Sequence, residues 1–323
     1  MPYLIGTDEA GYGPNLGPLV ISATAWEVPE GIGGEELYAL LGRAVVARAS
    51  LASRDGRLPV AMADSKRLYQ PGGGLRLLER GLFSALAVLE RFPATWQQVW
   101  ETLAPESLDQ RNALPWYADH RGKAPVELEP ESVASLGRLL AAELDGAGVR
   151  LGGIASVAIF PEWFNALVDR EGTKGAVLSR ATLALIRRLL DTLGDGPVAI
   201  TCDKHGGRNR YRPLLEEHFP GSLIEIHGEA RDRSTYRFVH EGRRLEFCFR
   251  AKAESCLPVA LASMASKYLR ELAMDAFCKF WTSRLPDLRP TAGYPQDARR
   301  FKAHIAATGE ALGIEDRVFW RER

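Results

Sequence analysis

Cysteine is scarce in this chain. Its 323 residues hold four, Cys202, Cys248, Cys256 and Cys278. None forms a C-x-x-C pair, so a zinc cluster is not indicated and a reducing compartment is the simplest reading. Long apolar runs are missing too. No stretch reaches 18 consecutive apolar residues, and no membrane span is expected. The opening MPYLIGTDEAG has neither a basic n-region nor an apolar h-region, so no secretory leader is read. A cytoplasmic protein without a membrane partner is the expectation. Net charge is absent as well, with 41 Lys+Arg against 41 Asp+Glu. That balance excludes an overall cationic coat. It does not exclude a nucleic-acid enzyme, because distribution matters more than total.

The distribution is uneven. From Arg243 onward there are 15 Lys/Arg and 10 Asp/Glu, whereas residues 92–150 hold 5 and 9. A basic side and an acidic side follow. Hydrophobic residues make up 46% and charged residues 25%, ordinary for a globular chain that can bury a core. The length suits one large α/β domain, or one domain with an insertion. There is no internal repeat.

Residues 3–7 read as a buried strand and 19–28 as a second, joined by turn-rich residues 8–18. Further strands are expected at 154–160, 197–202, 222–226, 235–239 and 245–249. Helical spacing marks 35–50, 75–89, 173–192 and 259–281, the last opening on small residues that allow close packing on a sheet. Residues 92–150, with Pro93, Pro105, Pro115, Pro125, Pro130 and three tryptophans, differ in texture. They read as an inserted subdomain, leaving 1–91 and 151–323 as the main domain. The fold class is therefore α/β, a mixed sheet flanked by helices.

Carboxylates gather at the expected strand ends. Asp8 and Glu9 follow the first strand, Asp203 follows the strand ending at Cys202, and Glu254 comes after the 245–249 strand. Singly, such residues are more often solvated or helix caps. Together they would repel one another, and a divalent cation removes that cost. Mg²⁺ prefers oxygen ligands, and paired ions suit phosphodiester cleavage. One obstacle is that neighbouring strand residues point to opposite faces, so Asp8 and Glu9 share a site only if the strand has ended or bent.

The motifs resemble those of type 2 ribonucleases H, the HII and HIII enzymes. Asp8-Glu9-Ala10-Gly11-Tyr12-Gly13-Pro14 with Gly17-Pro18 resembles their D-E-A-G-x-G-P-x-x-G-P opening. Asp64-Ser65-Lys66 resembles their D-S-K segment. Lys252-Ala253-Glu254, then Ala262-Ser263-Met264-Ala265-Ser266-Lys267, resembles the HIII pattern, and Gly293-Tyr294-Pro295 the G-Y-P near the C-terminus. All occur in the family order. The resemblance implies a ribonuclease H-like mixed five-stranded sheet. It also implies a catalytic site of Asp8, Glu9, Asp203 and Glu254 holding Mg²⁺ or Mn²⁺, and cleavage of the RNA strand of an RNA–DNA hybrid by a two-metal-ion mechanism. Gly11 and Gly13 match the loop whose backbone meets the ribose 2′-OH, with Tyr12 where the HII branch usually has Arg. A related nuclease with another nucleic-acid substrate, or a non-catalytic nucleic-acid-binding module on the same fold, stays open.

Supporting residues are weighed against plainer roles. Lys204 and Arg208 follow Asp203 and read either as phosphate contacts or as a solvated helix start. His205 can shuttle a proton or brace the loop, and bracing is preferred. Lys66 and Lys252 are candidates for phosphate or carboxylate contacts. Tyr294 can stack on a sugar or base, or pack in a core. Tyr12 is read as a substrate contact because loops beside strand ends are exposed. Trp96, Trp100 and Trp116 lie in the acidic insertion, which favours a packed subdomain or a protein contact. Ser263 reads as a packing residue.

Overall fold

The computed structural model describes residues 1–53, 56–70 and 72–322. Its strands are β1 (Tyr3–Ala10), β2 (Leu19–Glu27), β3 (Val45–Val46), β4 (Val60–Ala61), β5 (Arg150–Ile159), β6 (Val198–Asp203), β7 (Glu225–Glu229), β8 (Arg233–His240) and β9 (Arg243–Arg250). Among the described residues, seven form one mixed sheet in the order β5-β2-β1-β6-β9-β8-β7, while β3 and β4 pair separately. The central trio β1, β6 and β9 runs parallel, and every other neighbour in the sheet is antiparallel.

Side chains divide between the two faces with the strand period of two. Leu4 joins one apolar cluster, Tyr3 and Ile5 the other. The first cluster lies under the long helix Leu257–Thr282, the second under the helix Lys174–Leu190. The long helix starts directly on β1. A Cβ added at Gly6 would stand 2.2 Å from the Val259 nitrogen and 2.3 Å from the Pro258 carbonyl carbon. Thr24 of β2 donates to the Pro258 carbonyl at 2.8 Å, fixing the same helix end. Small residues Ala260, Ala262, Ser263, Ala265 and Ser266 are buried in this contact.

The sheet is wider than the five strands expected. The long interval between Asp203 and Glu254 contains the β7–β8–β9 meander, which adds two strands beyond β9. Its β8–β9 turn is Glu241-Gly242, with φ of 50° and 78°. Two successive positive φ values give a two-residue turn whose twist matches the flanking strands. Other differences are local. The helix expected at 35–50 spans only Glu36–Leu40, because Val45 and Val46 pair with Val60 and Ala61. The strand expected at 222–226 lies at Glu225–Glu229. Strand β1 continues through Asp8 and Glu9 to Ala10, held in register with β2 by the Asp8–Ser22, Glu9–Ile21 and Ala10–Val20 pairs.

Residues 92–150 are mainly helical, including Trp96–Leu103 and Pro130–Gly146. Trp96, Trp100 and Trp116 are buried. The Trp116 ring meets Phe277 edge-on at 5.1 Å, and Trp96 Nε1 donates to the Leu272 carbonyl, both on the long helix. Among the described residues, no helix is long and apolar enough to cross a membrane.

Because backbone stands where a Gly6 Cβ would go, Gly6→Ala must push the long helix off β1. We expect a loss of about 1–3 kcal/mol, as for overpacked cores. Urea unfolding should show it as a lower midpoint at unchanged slope.

Candidate active site

Three parallel strands end at the same edge of the sheet. The last paired residues of β1 and β6 are Thr7 and Cys202. Asp8 and Asp203 come next on each strand, side by side, on the face that carries the long helix. Asp203 pairs with Arg250, the last residue of β9, and the chain then turns through Lys252 into the short 3-10 helix Ala253–Ser255. That turn brings Glu254 back over the strand ends, with the Ala253 N–H donating to Asp203 Oδ1 at 3.4 Å. Glu9 projects from the opposite face of β1 at the same edge.

The carboxylates feel one another across this edge. Burial raises the Asp8 carboxyl well above the ordinary range, the Glu9 and Asp203 charges add to the rise, and a hydrogen bond from Ser263 opposes it. Glu9 is pushed up to about 7, first by burial and then by Asp203, with Glu254 adding and Lys66 opposing. Asp203 is raised by burial and by Glu254, against the Ala253 and Lys204 amides and Lys66. Holding Glu9 ionised at neutral pH thus costs on the order of 3 kcal/mol. Lys66 shows the reverse: burial alone would lower it, but Asp64, Asp8, Glu254 and Asp203 together raise it. Asp8, Glu9, Asp203 and Glu254, with Asp64 nearby, therefore draw on the Lys66 ammonium, and the excess negative charge is what a cation would neutralise.

All four donors are carboxylate oxygens, the chemistry a hard divalent ion takes. Among the described residues, however, no three His, Cys, Asp or Glu side chains close on one point as a metal cage. The two observations measure different things. Coulomb coupling reaches further than a coordination bond, and Mg²⁺ commonly uses one or two carboxylates and completes its shell with water and substrate phosphate. On donor type and uncompensated charge, the residues fit such an ion.

A chain of hydroxyls supports the edge from beneath. Ser266 donates toward the Asp8 carbonyl at 3.0 Å and lies 2.8 Å from Ser22, which in turn meets Ser156 at 2.7 Å. Ser263 Oγ accepts the Ser65 N–H at 3.2 Å and lies 3.0 Å from the Ser65 hydroxyl, tying the Asp64-Ser65-Lys66 turn to the long helix. Asp64 caps that turn by accepting the Lys66 N–H. The sequence marks Ser263 and Ser266 only as small packing residues within a motif, not as hydrogen-bonding supports of the edge. Two serines three residues apart on a small, apolar helix face were the available signal.

The glycine loop and residues 204–210 form the flank. Gly11, with φ of 94°, is held inside, while Gly13 is exposed with open space around it. Tyr12 is half-buried. Its hydroxyl would be 3.3 Å from a Cβ at Gly206, and the Lys174 ammonium lies 5.5 Å from its ring centre. Tyr12, Lys174, Arg208 and Arg210 line a cleft of about 590 Å³. Lys174 was not singled out from sequence, since a lone lysine at a helix start carries no signal.

Two candidates are tied up by the protein's own groups. His205 is 3% exposed, with Nδ1 3.0 Å from Ser179 Oγ and its ring edge-on to Tyr211 and Phe249. Burial, with help from Arg208, pushes it down to about 3, so it stays neutral. That suits bracing and not proton transfer, with the residue forming part of the cleft wall. Lys204 Nζ is spent on Asn209 Oδ1 and the Ala230 carbonyl, at 2.7 and 2.6 Å, joining its loop to the β7–β8 turn. Lys252 is exposed at a left-handed position with φ of 58°. Tyr294 is 58% exposed beside the glycine loop, where the Gly293 carbonyl accepts the Asn15 and Leu16 N–H groups.

No protein-family model and no curated protein matches this chain. Solved structures do. A PCNA:RNase HII complex from Archaeoglobus fulgidus aligns with 99% of this chain and 94% of that one, at 16% identity and TM-score 0.41. The ribonuclease H2 of Pyrococcus horikoshii aligns with 98% and 92%, at 14% identity and TM-score 0.45. Bst-RNase HIII in complex with Mn²⁺ aligns with 99% of this chain and 66% of that one, at 14% and 0.41. The mixed α/β class rests on the strand order and pairing given above.

The raised carboxyls fix a pH dependence. A group whose folded pKa exceeds its unfolded value favours folding when protonated, and that contribution is lost as pH rises between the two values. For Glu9 the window runs from 4.5 to about 7. Thermal melts in chelator should therefore fall across it. Glu9→Gln should melt higher than the parent at pH 8 and converge with it near pH 4. The relief should be partial, because the titration belongs to the cluster.

Proposed function

We propose that this chain is a divalent-metal-dependent endoribonuclease of the type 2 ribonuclease H kind, cutting the RNA strand of RNA–DNA hybrids. One observation carries the reading. Asp8, Glu9, Asp203 and Glu254, from three parallel strand ends, form one mutually repelling acidic cluster beside Lys66, at the edge where the glycine loop emerges.

Each part has a role. Asp8, Glu9, Asp203 and Glu254 would hold Mg²⁺ or Mn²⁺. Such an ion supplies a Lewis acid for the phosphodiester and a counter-charge to the cluster. Ser263 holds the Asp8 carboxyl on the long-helix face, and the Ala253 amide orients Asp203. Lys66 compensates part of the charge and stands ready for a substrate phosphate. The Gly13 end of the Gly11-Tyr12-Gly13 segment lies open enough to meet a sugar edge, where the 2′-OH distinguishes RNA from DNA. Lys174 and Arg208, flanking Tyr12, offer positive charge to the backbone leaving the site. No protein nucleophile is needed.

Labelled RNA–DNA hybrid, duplex DNA and single-stranded RNA, each with Mg²⁺, Mn²⁺ or chelator, form the test. Hybrid should be cut with either ion, and Asp203→Asn should reduce cutting to the chelator background. Cutting of another nucleic acid alone would replace the substrate, and binding without cutting would leave a recognition module.

A further inference from the structure

The glycine loop is held from within by two buried arginines that the acidic cluster does not use. Arg321 lies just beyond the short helix Asp316–Phe319 and is 1% exposed. Its guanidinium donates through Nη2 to the Gly11 carbonyl at 2.5 Å and also to the Pro14 carbonyl. The backbones are joined as well. Trp320 bridges Leu16, the Arg321 N–H donates to the Asn15 carbonyl at 2.8 Å, and Asn15 Nδ2 returns a bond to the Arg321 carbonyl at 2.8 Å. Asn165 grips this segment on both sides of Arg321, donating to the Trp320 carbonyl at 2.8 Å and accepting the Glu322 N–H at 3.1 Å. Arg270 of the long helix, 2% exposed, closes the other side through Leu16 O at 3.4 Å and Ala292 O at 2.9 Å. It packs so close that a Cβ at Gly11 would lie 2.7 Å from its Nε.

Burying a guanidinium against carbonyls is expensive, and it is sustained where the bonds hold something in place. Here they fix peptide planes. In a trans peptide the carbonyl of one residue and the N–H of the next point in opposite directions. With the Gly11 carbonyl turned inward to Arg321, the Tyr12 N–H points the other way, away from the guanidinium. We propose that Arg321 is a positioning residue: from the opposite end of the chain, it holds the Gly11–Pro14 backbone in the conformation that receives the RNA sugar-phosphate strand. Arg321 itself touches no substrate. The proposal rests on the nuclease reading for what the loop receives, but the clamp can be tested without it.

Two measurements on the full chain separate the parts. Hydrogen exchange reads the clamp directly, because the Asn15 and Leu16 amides are bonded to Gly293. Arg321→Met should speed exchange in a peptide covering residues 10–18 by about tenfold or more, leaving β2 and β5 protected. Arg321→Lys, which keeps the charge but replaces the planar guanidinium with a shorter-reaching ammonium, should fall between, and so should Asn165→Ala. These two carry the test if Arg321→Met does not fold. Kinetics on hybrid with Mn²⁺ then read the function: KM should rise about tenfold in Arg321→Lys while kcat stays within about threefold, the mark of lost binding and not lost chemistry. Unchanged exchange at 10–18 in all folded variants would overturn the clamp. Faster exchange with kcat and KM falling in step with melting temperature would overturn the positioning role. If the parent cuts no hybrid, the nuclease reading fails while the exchange result still stands or falls by itself.

Discussion

Like charges at close quarters are the constraint on which the rest of this structure depends. The parallel register that pairs Thr7 with Cys202 leaves Asp8 and Asp203 next to each other, and the turn after β9 adds Glu254. Nothing in the apolar core gains from that arrangement. Burial and mutual repulsion raise three of the carboxyls, and Lys66 offsets only part of it. A counter-charge from outside would relieve such a cluster, and in the proposed function a divalent ion would supply it.

The long helix couples this edge to the core. Its first turns carry Ser263 and Ser266, which reach the Asp64-Ser65-Lys66 turn, Asp8 and β2, while its later turns receive the aromatic side chains of residues 92–150. The contact at Gly6 sets the height of the helix over β1, so packing and carboxylate placement are one problem. Around the edge, polar groups divide by destination. Lys204 and His205 brace their loop through internal bonds, with His205 in the wall of the cleft that Tyr12, Lys174 and Arg208 also line.

Much of the fold was legible because strand and helix periods differ. Tyr3–Thr7, Val198–Cys202 and the long helix announce themselves by apolar spacing, and the acidic residues stand at the ends of those runs. Sheet width was not legible from the resemblance, because the β7–β8 hairpin depends on a local turn at Glu241-Gly242 and not on any motif of the site. Strand β1 runs on through Asp8 and Glu9 because backbone pairing with β2 satisfies polar groups whatever the side chains are. His205 reads as a loop brace or a proton shuttle, and the partners of its ring, edge-on to the stacked Tyr211 and Phe249, are not encoded by any local pattern.

The sequence by itself determined the chemistry on offer: four carboxylates at strand ends, glycines in the loop between β1 and β2, and serines on a small-residue helix. Those features are local, and their residue types and spacings can be read along the chain. Which of them meet was decided only by tertiary structure. Strand register put Asp8 beside Asp203, and chain closure brought Arg321 under Gly11 across 310 positions. No local period encodes such a contact, since its free energy comes from desolvation and hydrogen-bond geometry that exist only once distant segments have packed.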